Sequence, residues 1–126
     1  MKNRSLIIRS LGVTRLAVGL STFVNPRLAR RSLGIADRDA DGGTVARMFG
    51  IRDAALAIAT LSNDPVVRNA GVRLGVLADA ADTVAIVNGR RAGVTTRGAL
   101  LMGGAAAFFT VAGIAAWPQS HQDPQV

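Results

Sequence analysis

Apolar residues run along this chain in four long stretches separated by short polar breaks. Leu6 to Val24 is interrupted by Arg9 and Arg15, and Thr44 to Ser62 by Arg47, Arg52 and Asp53. Val66 to Val87 is interrupted by Arg68, Arg73, Asp79 and Asp82. Gly98 to Ser120 holds 23 residues without a formal charge. A surface helix in water carries polar residues along one whole face. Here the charges are too few for that, and long sectors are Ala, Val, Leu, Ile and Gly. Sustained alternation with period two is missing and Ala is abundant, so strands are not expected. About 20 helical residues cross a hydrocarbon layer about 30 Å thick, and each stretch is near that length.

The pattern predicts four helices, near 5–25, 44–62, 66–88 and 96–117, forming an all-α, four-helix transmembrane bundle. Residues 1–118 make up this membrane domain and 119–126 a polar C-terminal tail. The breaks agree with the pattern. Asn25-Pro26 ends the first helix, and Asp41-Gly-Gly-Thr44 supplies turn and capping residues before the second. Asn63-Asp64-Pro65 is a tight turn that makes helices two and three an antiparallel hairpin. Asn88-Gly89 closes the third helix, and Trp117-Pro118 closes the fourth with an interfacial aromatic and a helix stop. The rival expectation is a water-soluble bundle with the fourth segment buried at its centre. The N-terminal apolar run contains Arg15 and lacks a small-residue cleavage site, so a cleavable signal peptide is not expected.

Composition narrows the chemistry. The 126 residues suit one domain. There is no Cys, which excludes disulfides and thiol nucleophiles, and the single His121 lies in the tail. No metal site and no cofactor are expected. Aromatic residues are 4%, too few for stacking on bases, and nucleic acid is not an expected partner. The net charge is +7, and 14 of the 15 basic residues are Arg. Most of that excess lies outside the apolar stretches. Arg27, Arg30, Arg31, Arg38, Arg90, Arg91 and Arg97 fall on one side of a four-span arrangement, against Lys2, Arg4 and Arg68 on the other. The positive-inside rule then puts both termini outside the cytoplasm of a multi-pass cell-membrane protein. Pro26 to Ile35 is basic and amphipathic, so Arg27, Arg30 and Arg31 either meet lipid headgroups or form a plain solvated loop.

The unusual residues are the charges well inside the stretches: Arg15, Arg52, Asp53, Asp79 and Asp82. An ionisable group in a span costs about 2.5–3.5 kcal/mol on insertion scales and usually faces the bundle interior. Asp79 and Asp82 are three residues apart and share a helix face. Gly12, Arg15, Gly19 and Thr22 form one small, polar stripe, and Gly50, Asp53 and Ala57 another. Arg52 and Asp53 are about 100° apart around their helix and are expected to point to different neighbours. Arg47 and Arg73 lie nearer the ends, within reach of headgroups or of the cluster. A weak pattern, Arg-x-x-Gly followed by Val or Ile, recurs at Arg9, Arg47, Arg68 and Arg90.

Arg15-Leu-Ala-Val-Gly19 with Asn25-Pro26, Gly50-Ile-Arg-Asp53 and Asp79-Ala-Ala-Asp82 together resemble a family of small actinobacterial four-helix integral membrane proteins. At the level of architecture the chain is also similar to DoxX-like and anthrone-oxygenase-like membrane proteins. The resemblance implies either an accessory membrane subunit or a small redox enzyme. Two functions stay open. One is a non-catalytic homo-oligomer or accessory subunit in membrane lipid, whose Arg/Asp cluster fixes helix packing or holds a polar headgroup. Gly103, Gly104 and Gly113 would give it a close-packing surface. The other is a membrane enzyme or binding protein for a hydrophobic small molecule or lipid. There Arg15 and Arg52 would hold an anionic group, Asp79 or Asp82 would act as acid/base and Asp53 would orient an Arg.

Overall fold

A computed structural model describes residues 2–27, 43–89 and 95–117. They form four helices: α1 (Lys2–Val24), α2 (Thr44–Leu61), α3 (Pro65–Gly89) and α4 (Thr96–Ala115), with no strand among the described residues. Every helix begins and ends within three residues of its expected bounds.

The breaks have local causes. Asp64 Oδ1 accepts hydrogen bonds from the Val66 and Val67 amides at 2.7 and 3.4 Å, which caps α3, and Pro65 occupies its first turn. Thr95 caps α4 by accepting from the Gly98 amide at 3.1 Å. Before α2 the capping differs from expectation. Gly43 holds the N-cap with φ 89° and offers no side chain, while Asp41 lies outside the described residues. A left-handed backbone there suits glycine.

The chain runs up, down, up, down. α1 packs most extensively on α2 and α4 on α3, the α2–α3 hairpin joins the two pairs, and α1 meets α4 sparingly. Glycines set the closest approaches. A Cβ on Gly19 would lie 2.7 Å from the Ala54 nitrogen and the Gly50 oxygen, and one on Gly50 would lie 2.6 Å from the Gly19 oxygen. A Cβ on Gly71 would lie 2.6 Å from the Thr60 nitrogen. Gly50 and Gly71 are the glycines of two Arg-x-x-Gly repeats, so at these positions the repeat marks backbone-to-backbone contact. Gly93 of the fourth copy lies outside the described residues.

The interior is built of small and polar residues. Ala54, Ala57, Ala106, Val72, Arg15, Thr60 and Asp79 are buried, and no large side chain is fully buried among the described residues. Leu, Ile, Val, Phe and Met side chains stand exposed on all four helices. A small apolar cluster of Ile8, Val72 and Ala116 closes the end where α1 begins and α4 finishes. Two helices, Asn3–Val24 and Thr96–Ala115, are long and apolar enough to cross a membrane. α2 and α3 have the length, but carry three and four charged residues respectively.

Candidate functional site

The mid-helix charges of three helices meet in one network. Arg15 comes from the buried face of α1, with Gly12 and Gly19 one turn away on either side. Their missing side chains let α2 approach, so a long guanidinium stem crosses the bundle without displacing a helix. Arg15 Nη2 donates to Asp79 Oδ2 of α3, and Arg15 Nη1 to Asp53 Oδ1 of α2 at 3.4 Å. Gly75 borders this guanidinium, and a Cβ there would make ordinary contact with Arg15 Nη2 at 3.5 Å. Arg15 is 6% exposed and Asp79 4%.

The second half of the network faces outward. Arg52 grips Asp82 with two parallel bonds, Nη2 to Oδ2 at 2.6 Å and Nη1 to Oδ1 at 3.1 Å. This fork-on-fork geometry is the strongest form of such a contact. Arg52 Nη2 also donates to Asp53 Oδ1 at 3.3 Å. One Asp53 oxygen therefore accepts from both arginines and joins the halves. The Arg52 and Asp82 side chains are 35% and 23% exposed, against 7% and 6% for Arg15 and Asp79. The Arg52 Nε is buried and has no acceptor.

Aromatic rings cover both guanidiniums. Phe109 of α4 lies under Arg15 with its centroid 4.9 Å from Cζ, and Phe49 lies 4.8 Å from Arg52 Cζ. The ring faces supply partial negative charge where no carboxylate reaches. The sequence pattern did not single out either ring. Phe49 was findable, because it precedes Arg52 by three residues on one face of α2. Phe109 was not, because nothing along the chain tells which ring of α4 turns toward α1.

The five expected cluster residues are thus brought together. Asp79 and Asp82 share a face, and each is held by its own arginine. Arg52 and Asp53 touch each other, since a side chain as long as Arg can fold back across 100° of helix. Arg47 and Arg73 add nothing to the cluster. Arg47 is exposed, and Arg73 lies over the Trp117 ring at 5.8 Å. Among the three arginines expected at headgroups, Arg27 is exposed, while Arg30 and Arg31 lie outside the described residues. His121 also lies outside them. Among the described residues there is no group of three or more potential metal ligands from His, Cys, Asp and Glu.

The space beside the network is small. A cavity of about 20 Å³ touches Arg15, Thr60, Gly75 and Phe109, enough for roughly one water molecule. Hydroxyls nearby are already engaged. Thr83 donates to the Asp79 carbonyl at 2.8 Å and Thr60 to the Leu56 carbonyl at 2.8 Å. Comparison of the chain with protein-family models, with curated proteins and with solved structures finds no match.

Proposed function

We propose that this chain is a small multi-pass membrane protein that works as a non-catalytic accessory or oligomeric subunit, with the Arg/Asp network fixing helix register. The observation that carries the reading is the closure of the network. Its guanidiniums and carboxylates bond one another, and the cavity beside Arg15 has no room for a substrate. The distribution of side chains supports a lipid surround. Glycine, alanine and the Arg15–Asp79 pair lie inside, and large apolar side chains stand exposed on every helix. This is the packing expected where lipid tails are as apolar as the side chains and small residues drive helix contact.

Pairing also supports α2 and α3 as spans. Of the seven charges on α2 and α3, four, Arg52, Asp53, Asp79 and Asp82, are paired within the network. A paired, inward charge costs far less in a membrane than a lone one. The motif resemblance to small four-helix membrane proteins agrees. The excess of Arg in the α1–α2 and α3–α4 connections supports a topology with those connections in the cytoplasm and both termini outside.

Purification in a mild neutral detergent tests the subunit role. The expected result is a stable homo-oligomer or a co-purifying membrane partner. A lone monomer without a partner would contradict it.

A second reading, a membrane enzyme or binding protein for a hydrophobic molecule, draws on one observation. Arg52 and Asp82 are partly exposed and the Arg52 Nε lacks an acceptor, so this outer half has hydrogen-bonding capacity left. Asp79→Asn and Asp82→Asn separate the two. The subunit role expects Asp79→Asn to lower thermal stability in detergent more than Asp82→Asn. Unchanged stability in both, with loss of a turnover, would establish the enzyme instead.

A further inference from the structure

A second set of arginines lies apart from the network. Where α1 begins and α2 turns into α3, Arg4, Arg9 and Arg68 wall an open groove of about 520 Å³. No described carboxylate pairs with any of the three. Arg4 donates its Nε to the Ala116 carbonyl at 3.3 Å, and Arg68 donates Nη1 to the Ser62 and Asn63 carbonyls at 3.3 and 3.5 Å. These bonds anchor the two side chains and leave each guanidinium donors to spare, since each carries five N–H groups. The acid of the same turn, Asp64, is spent on capping α3. No carboxylate is among the described residues lining the groove, which therefore presents concentrated positive charge.

The groove changes character along its length. Arg4 and the Ser62-Asn63 turn sit at the end of the bundle, whereas Ile8, Leu61 and Val13 line it further in. From Arg4 to Val13 the helix rises roughly 13 Å, at about 1.5 Å per residue. Arg9 stands between the two regions. Guanidiniums match phosphate oxygens with parallel hydrogen bonds, which favours a phosphate at the mouth. A free phosphate would leave the apolar floor unused, and a neutral lipid would leave the charge unmatched.

We propose that this groove binds an anionic, phosphate-bearing amphiphile. Arg4, Arg9 and Arg68 hold the phosphate, and the first part of the hydrocarbon chain lies over Ile8, Leu61 and Val13. The site deepens the membrane reading by naming a ligand class, and the two fail separately. Fractionation of the whole chain tests the membrane reading, while selective retention by purified protein tests the site.

The experiment is native mass spectrometry of the detergent-purified chain offered phosphatidic acid, phosphatidylcholine or sodium phosphate. Phosphatidic acid is expected to be retained about ten-fold or more above phosphatidylcholine, the scale of one or two charge-assisted hydrogen bonds. Arg9→Gln and Arg68→Gln are each expected to remove most of that preference. Arg97→Gln, at the opposite end of the bundle, is expected to leave it unchanged. Arg9 is exposed and bonded to no described residue, so its variant keeps the test valid if Arg68→Gln unfolds. Equal retention of the two lipids, or equal loss with Arg97→Gln, would overturn the site. Sodium phosphate is expected to displace the lipid only in part. Complete displacement would overturn the amphiphile and leave a plain phosphate site.

Discussion

Arg15 and Asp79 are the two most deeply buried charges of the network, so their pairing dominates its energetics. Removing one member of a buried pair leaves the other without compensation, at a cost of about 3–5 kcal/mol, whereas replacing both with apolar residues is often neutral. Arg15→Met and Asp79→Leu should each lower the unfolding temperature sharply, and the double variant should recover most of the loss. Thermal unfolding in detergent checks this, and a double variant no better than the singles would contradict a packing role. Which charges form the network was legible in the sequence, because Arg15, Arg52, Asp53, Asp79 and Asp82 lie well inside otherwise apolar runs, away from the helix ends. Which acid meets which base was not. The 60° offset between positions 79 and 82 around α3 is enough to aim them at different helices, and that choice depends on helix rotation.

At the scale of elements, the glycines divide by what they face. Gly19 and Gly50 press backbone against backbone between α1 and α2, whereas nothing lies within 4 Å of a Cβ built on Gly104. Gly19→Ala or Gly50→Ala must push the helices apart and should destabilise by about 1–3 kcal/mol. Gly104→Ala should be silent or slightly stabilising, because alanine favours helix over glycine by about 1 kcal/mol. Chemical or thermal unfolding of the three variants tests the ranking. Gly113 is buried within the bundle, against Val76, and a Cβ on Gly103 would touch Ile86, so of the three glycines expected to give a close-packing surface Gly104 alone meets no neighbour among the described residues. Helix ends were readable from Asn, Asp, Pro and Gly because capping is a local interaction. The Gly43 cap was not, because a left-handed glycine and a capping Asp two residues earlier both fit the same four letters.

At the scale of the molecule, the pattern of long apolar runs predicts four helices, and four long helices stand among the described residues. Their environment is a separate matter, since only α1 and α4 are long and apolar enough to span by themselves. The proposed topology predicts that a cysteine at Asn63 is labelled from outside intact cells and one at Arg97 only after permeabilisation. The chain has no native Cys, so each label reports a single position. Labelling of both from outside would contradict the orientation.

Membrane fractionation is the decisive measurement of whether this bundle lies in lipid. The chain is expected to sediment with membranes, to stay there through high salt and alkaline carbonate, and to be released only by detergent. Recovery as a folded protein in the soluble fraction, or release by carbonate, would contradict it.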